Sequence, residues 1–495
     1  MRKPRTLIVD DDKSFLEGIT LMLGELGHTV IPYRYVDTED IEQIKENPPD
    51  LMLLDQLIKL EGKPGILGVD IAKRFQEDKR TRYTPKVIIT GAPKEQRTEI
   101  AEEALRLGLL KEVVGKPIAL EDLVRISGYA SVPLNIGFVS LGRLAQKSIE
   151  ILFKEHPEYV ETVKGVSLTG MHKEEDLRIS LGIEDEQRFR VYGTLEELAE
   201  QSCDIVLVSS SNSAESRVES GRNWLWNNEK ALQYNIWTRI IQKESGLTRL
   251  SNNTNSLYII ATNPIGANIS LAEKLGMPTE RITGLSVIDT VRAKRWLKQR
   301  YFEQFNEQLN DEDVKVRVIG QHGLEIPLYG SIKIKGKSPE QIGLSVDMER
   351  FRHDVREEGG KVMESVKNLT RADMQEALYR GVPEAFVNLI GTFCKRRQPS
   401  ESLYSKRNIM GSIQFNGPSE VTYSEAGITV KPKAFGDVIS EEEFNKMLEQ
   451  NRDELHVQGQ VVSEYVLERE KESEHILGRE KESGYILGRE KEKGK

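Results

Sequence analysis

Four apolar runs near the start of the chain each end in a side chain suited to phosphoryl chemistry. "TLIVDDD" reaches Asp10 and Asp11, "DLMLLDQ" reaches Asp55, "KVIITGAP" reaches Thr90 and "KEVVGKPI" reaches Lys116. Three carboxylates brought together repel unless a divalent cation neutralises them, and magnesium suits oxygen ligands while keeping its waters. Asp10, Asp11 and Asp55 are therefore the candidate metal ligands. Asp55 could attack a phosphoryl donor as a carboxylate nucleophile. Thr90 could then hydrogen-bond the new phosphoryl oxygens, and Lys116 could pair with them. The bland alternative is four unrelated strand ends with solvated tips. Four such ends, in order and at domain-scale spacing, favour the site.

The elements that must position these groups follow from the pattern. Between the first two runs, Phe15, Ile19, Met22, Leu23 and Leu26 recur at helical spacing. Strands alternating with helices imply a parallel sheet, and in such sheets function gathers at the carboxyl ends of the strands. "VDDD", "LLDQ", "IITG" and "GKPI" together resemble the response-regulator receiver family over residues 1–128. The resemblance implies phosphorylation on Asp55, Thr90 and Lys116 as switch residues, Mg2+ in the acid pocket, and a sensor histidine kinase or phosphotransfer protein as partner. Two departures stand out. Val113 occupies the family's aromatic switch position, and "QLIKL" replaces the usual Met-Pro after the phosphoacceptor.

A second constellation lies further along. "PLNIGFVSLGRLAQKSIEIL" reads as a strand, a tight turn and a helix, with Ser140, Gly142 and Ala145 where a dinucleotide fingerprint wants glycines. Any strand-turn-helix would also fit. The next strand reads "KGVSLTGMHKEED" and ends near Thr169 and Gly170, without the acid that commonly holds an adenosine ribose. That leaves three options: a cofactor phosphorylated at that ribose, a weakly held nucleotide, or a lost pocket. Asp289 and Arg292 lie three apart in "RITGLSVIDTVRAKRWLKQR", on one helix face. A helix salt bridge accounts for them equally well. His322, one of seven histidines, sits in "VIGQHGLEIPLYGSIKIKG". It is either a satisfied turn histidine or a general acid, which would need an orienting carboxylate on one ring nitrogen.

Joined with "TNPIGANISLAEKLGMPTERITGLSVIDTVRAKRWL" and "GPSEVTYSEAGITVKP", these stretches resemble the lactate/malate dehydrogenase family. The resemblance implies His322 as proton donor and acceptor, with Asp289 as its partner. It implies Arg292 on a substrate carboxylate, and Asn263 beside nicotinamide and substrate. Ser140, Gly142 and Ala145 would face NAD or NADP. The substrate would be a small 2-hydroxy or 2-oxo acid. Arg222, where malate-type members keep an arginine, favours malate or oxaloacetate. In the loop "RNWLWNNEKALQYN", Asn228 stands where the family places the arginine that polarises the reacting carbonyl. Such stabilisers are worth about 10²–10³ in rate. Arg217 is a candidate substitute, and Trp224 and Trp226 would make this lid bulky. The family also implies a homo-oligomer.

The expected fold class is α/β. A receiver-type doubly wound parallel sheet over 1–128 precedes a Rossmann NAD(P)-binding subdomain over 133–285 and an α+β lactate/malate dehydrogenase C-terminal catalytic subdomain over 286–450. The charged tail, 451–495, carries "YVLEREKESE", "HILGREKESG" and "YILGREKEKG" at period ten. Ten residues rotate a helix so that the apolar triplets drift by roughly 80° each time, which makes no straight partner stripe. The net charge of −9 argues against nucleic acid as a partner. Neither a membrane span nor a secretory leader is expected. Isolated Cys203 and Cys394 offer no disulfide framework. The expected location is cytoplasmic. Two functional readings follow. One is a phosphorylation-gated NAD(P)-dependent 2-hydroxyacid oxidoreductase. The other is a signalling protein whose dehydrogenase-like domain senses a metabolite or nucleotide without turnover.

Overall fold

The computed structural model describes residues 2–59, 61–93, 108–167, 173–209, 255–261, 265–274, 277–285, 287–310, 313–319, 326–355, 382–398, 403–405, 415–417 and 419–433, with the single positions Arg97, Arg106, Glu442 and Glu449. The first sheet joins β1 (Arg5–Val9), β2 (Thr29–Tyr33), β3 (Leu51–Asp55), β6 (Lys86–Thr90) and β7 (Glu112–Gly115), all parallel, in the order β2-β1-β3-β6-β7. The three inner strands are buried on both faces, so their sequences are continuous apolar runs rather than alternations. β2 breaks that rule because it is an edge, and its Pro32 is tolerated there for want of a ladder donor.

Helix α1 (Lys13–Glu25) starts where the Asp12 carboxylate accepts from the amides of Ser14, at 2.9 Å, and Phe15, at 3.1 Å. Its buried face is Leu16, Ile19 and Leu23. Phe15 and Met22 are only partly buried, and Leu26 is the exposed C-cap. The inward face is therefore turned by about one residue from the expected stripe. Among the described residues, helices α2 (Thr38–Glu46), α3 (Gly68–Glu77) and α4 (Leu120–Ser127) also flank this sheet, with separate apolar clusters on its two faces. A small antiparallel hairpin, β4 (Leu57–Ile58) with β5 (Ile66–Leu67), is inserted directly after Asp55.

The second sheet is also wholly parallel. It comprises β8 (Leu134–Val139), β9 (Val160–Val166), β10 (Phe189–Tyr192), β11 (Ile205–Val208), β12 (Leu257–Ile260) and β13 (Ile282–Gly284), in the order β10-β9-β8-β11-β12-β13. In chain order that is the 3-2-1-4-5-6 winding of a dinucleotide-binding sheet. Helices α5 (Arg143–Glu155), α6 (Glu174–Leu181), α7 (Leu195–Ala199) and α8 (Ile265–Lys274) cross between its strands.

Beyond it come α9 (Val287–Phe305) and short antiparallel pairs: β14 (Val314–Lys315) with β17 (Lys333–Ile334), and β15 (Val318–Ile319) with β16 (Ile326–Pro327). Helix α10 (Val382–Cys394) follows, then β18 (Leu403–Ser405) with β19 (Phe415–Gly417), and the hairpin β20 (Ser419–Ser424) with β21 (Gly427–Pro432). Phe386, Ile390 and Phe393 of α10, with Val421 and Ile428 of the hairpin, share one apolar cluster with Ile136, Phe138 and Ile149.

The receiver-like unit is joined to this body at the amino ends of its strands. Arg396 donates to the carbonyl of Arg2 at 2.7 Å and Arg397 to that of Gly128 at 3.0 Å. The Val132 amide meets the Cys394 carbonyl at 2.9 Å. No helix among the described residues is long and apolar enough to cross a membrane.

Candidate functional sites at two sheet edges

Asp10 follows β1, Asp55 ends β3, Thr90 ends β6 and Lys116 follows β7, so parallel pairing delivers all four to one edge. Carboxylate oxygens of Asp10, Asp11 and Asp55 lie within 4.8 Å of one another. The Lys116 ammonium bridges two of them, at 2.6 Å from Asp10 Oδ2 and 2.9 Å from Asp55 Oδ1. Burial pushes the Asp10 carboxyl above its ordinary value, although Lys116 and the Asp12 amide pull the other way. Burial also disfavours the charge on Lys116, but its bonds to Asp10 and Asp55 prevail and hold it above the usual lysine range. Three clustered carboxylates, two of which share one ammonium, are a donor set that fits a hard divalent cation.

Several groups here were not singled out by sequence. The Phe15 ring lies beneath the Lys116 ammonium, 4.6 Å from its centroid. Lys59, on the hairpin after Asp55, donates its amide to Asp11 Oδ2 at 3.2 Å. Gly68 presses so closely on the Asp55 carbonyl that a Cβ would collide with it. Thr90 is buried, and its hydroxyl donates to the Gln56 side-chain oxygen while accepting from the Ala92 amide at 3.0 Å. Arg97 donates from Nε to the Ala92 carbonyl at 2.7 Å, and its guanidinium fills the space where a Cβ on Gly115 would stand. Gln56 carried a usable signal: it is a polar residue directly after the candidate nucleophile.

At the carboxyl edge of the second sheet, the turn after β8 holds Ser140 at φ 80°. Glycine adopts that conformation without strain; serine does not. Gly142 is the N-cap of α5 and offers no side chain to the first-turn amides. Gln146 braces the turn by donating to the Leu141 carbonyl at 2.8 Å. Leu141 occupies the space over Gly165 that a Cβ would need, and Ala145 is fully buried beneath. Uncapped amides at the start of a 13-residue helix fit a pyrophosphate.

Asp289 and Arg292 stand on the first turns of α9, which follows β13 at the same edge. Asp289 is buried, and Arg292 Nη1 lies 3.5 Å from its Oδ1. The helix ion pair is thus formed. His322, in the connection between β15 and β16, lies outside the described residues, as do Thr169, Gly170, Arg217, Arg222, Trp224, Trp226, Asn228, Asn263 and the tail.

Residues 6–127 match the family model of the response regulator receiver domain. The phosphate regulon transcriptional regulatory protein PhoB of Pseudomonas aeruginosa is 30% identical over 122 residues, which is 24% of this chain and 47% of that protein. The chain thus spans about half the length of this curated relative. Among solved structures, the lactate dehydrogenase of Eimeria maxima with NADH and oxamate superposes with a TM-score of 0.50 at 16% identity, covering 67% of this chain and 94% of that one. The lactate dehydrogenase of Cryptosporidium parvum, with lactic acid and β-nicotinamide adenine dinucleotide, gives 0.50 at 17%, covering 66% and 98%. A segment matching the receiver-domain model is thus followed by a body with a lactate dehydrogenase-type fold, which is consistent with a fusion.

Proposed function

We propose that the N-terminal domain accepts a phosphoryl group on Asp55 and thereby controls an NAD(P)-dependent 2-hydroxyacid oxidoreductase. The observation that carries the reading is Lys116 bridging Asp10 and Asp55 at 2.6 and 2.9 Å beside Asp11. The Asp55 carboxylate attacks the phosphorus, and the donor's bond to phosphorus breaks as its leaving group departs. Asp10, Asp11 and Asp55 would hold Mg2+, which supplies charge neutralisation when bound. Thr90 and Lys116 would contact the phosphoryl oxygens. A sensor histidine kinase or phosphotransfer protein is the donor this domain suits.

In the second domain, the Ser140–Gly142 turn and Ala145 would hold the cofactor pyrophosphate on the α5 amides. Bound nicotinamide supplies hydride. His322 would give its proton to the carbonyl oxygen of a 2-oxo acid, oriented by Asp289, while Arg292 holds the acid's carboxylate and Asn263 lies beside it. Arg222 favours a dicarboxylate such as oxaloacetate.

A second reading, a sensor without turnover, draws on Ser140, a side chain held in the left-handed region where the fingerprint would place a glycine. The two separate in one assay. The full chain is mixed with NADH or NADPH and oxaloacetate or pyruvate, with and without Mg2+ and a small phosphoryl donor. Cofactor oxidation that changes with the donor and is abolished by His322→Asn supports the gated enzyme. Binding of nucleotide with no oxidation supports the sensor. Absence of any acid-labile phosphate on Asp55 refutes the receiver reading.

A further inference from the structure

We infer that Gln56 is a positioning residue that withholds the Thr90 hydroxyl from the phosphorylated form of Asp55. The inference rests on the reading of Asp55 as phosphoacceptor. A threonine hydroxyl has one proton to donate. Here that proton is committed to the Gln56 side-chain oxygen. The hydroxyl oxygen is committed too, because it accepts from the Ala92 amide at 3.0 Å. Ala92 is itself fixed: Arg97 Nε donates to its carbonyl at 2.7 Å, and the Arg97 guanidinium is seated over Gly115, next to Thr90 in the sheet. Only a residue without a Cβ leaves that seat open.

Thr90 is therefore held on both its donor and its acceptor side, with its own side chain buried. A phosphoryl group on Asp55 can take the Thr90 proton only if Gln56 gives it up. Gln56 is adjacent to Asp55 in sequence, so the brake sits on the strand end that carries the phosphoacceptor, across from Thr90 on the next strand. The consequence is that the phosphorylated form is less favoured than the acid pocket alone would make it. The factor is that of one neutral hydrogen bond, about fivefold.

The test uses beryllium fluoride with Mg2+ as a reversible phosphoryl mimic on the full-length protein, read as the 19F signal of the bound anion. Gln56→Leu should tighten the mimic about fivefold. Gln56→Ala should do the same, which guards against a folding defect peculiar to the larger apolar side chain. In a Thr90→Val background, neither substitution should change the affinity, because no proton remains to compete for. A general loosening of the loop would move the affinity in both backgrounds, so equal effects with and without Thr90 overturn the inference. Unchanged affinity in Gln56→Leu and Gln56→Ala also overturns it. So does weaker affinity, which would mean that the Gln56 amide helps the phosphoryl group. If the unsubstituted protein binds no mimic and Asp55→Asn makes no difference, the phosphoacceptor reading itself fails and the inference falls with it.

Discussion

Replacing Lys116 by methionine should tighten magnesium binding at the receiver edge. The ammonium lies 2.6 Å from Asp10 Oδ2 and 2.9 Å from Asp55 Oδ1, so it occupies the same carboxylates that a cation would take. A magnesium ion about 2.1 Å beyond a shared oxygen is at most about 4.7 Å from the ammonium. At that distance, charges of one and two repel by about 2 kcal/mol even with the dielectric of water. The site is less screened than water, because Asp10 is buried and the Lys116 side chain is mostly covered. Removing the charge should therefore lower the magnesium Kd by roughly twentyfold or more. Titration calorimetry of the two full-length proteins with magnesium chloride at fixed pH and ionic strength measures this directly. Asp10→Asn should weaken binding in both. Equal or weaker binding in Lys116→Met would refute the reasoning, because Lys116 would then not compete for the metal's ligands.

Three further outcomes follow from burial and contacts. Lys86 is fully buried with its ammonium on the carbonyls of Thr81, Arg82 and Thr84, and burial pulls its pKa down to about 8. Its folded value lies below the unfolded one, so the unfolded chain binds more protons above pH 8. The wild-type unfolding free energy should thus rise relative to Lys86→Met between pH 8 and 10.5, by up to about 3 kcal/mol, with no relative change below pH 8, as denaturant titrations at each pH would measure. Cys203 is buried and pushed up to about 12, and buried Cys394 is raised well above its ordinary value. A thiol reagent at pH 8 should label neither until denaturant unfolds the chain. Arg397→Ala removes the bond to the Gly128 carbonyl. Hydrogen exchange should quicken at residues 128–132 while magnesium affinity stays unchanged.

The first sheet was legible because its inner strands are buried on both faces and so read as apolar runs. β2 was not, since an edge strand bearing Pro32 has neither the run nor the alternation. The α1 stripe was displaced by one residue because Phe15 is diverted to the Lys116 ammonium, leaving Leu16 to face the sheet. The four receiver residues were brought together as expected because parallel pairing fixes strand ends, and strand ends were what the motifs marked. Gln56 was legible by its place after Asp55, but Arg97 and Gly115 were missed for a different reason. Their roles depend on which side chain fills the space beside Thr90, and no spacing rule encodes that. In the second domain, Ser140 stands in a left-handed turn after β8 and Asp289 lies beside Arg292, while His322, Asn263 and Arg222 lie outside the described residues.

The two sheets are joined by their amino edges, which constrains how one site can answer to the other. A cavity of about 400 Å3 lies along this seam, with Asp50 and Pro85 from the starts of β3 and β6 on one wall and Val160 and Arg188 from the starts of β9 and β10 on the other. Both candidate sites occupy carboxyl edges, so strands of five and six residues, roughly 17–20 Å long, separate each site from the seam. Among the described residues, nothing at the Asp55 edge touches the Ser140 turn. A signal that starts at Thr90 or Lys116 must therefore cross the receiver before it reaches the body. The shortest covalent route runs from Lys116 through α4 to Gly128, where Arg397 holds the carbonyl. Arg397 in turn accepts at its own carbonyl from the Tyr423 hydroxyl at 2.5 Å, on the hairpin whose Val421 and Ile428 enter the core of the second sheet. That hairpin is a physical connection from Lys116 to the packing beneath the Ser140 turn, built from a helix, one arginine and one tyrosine.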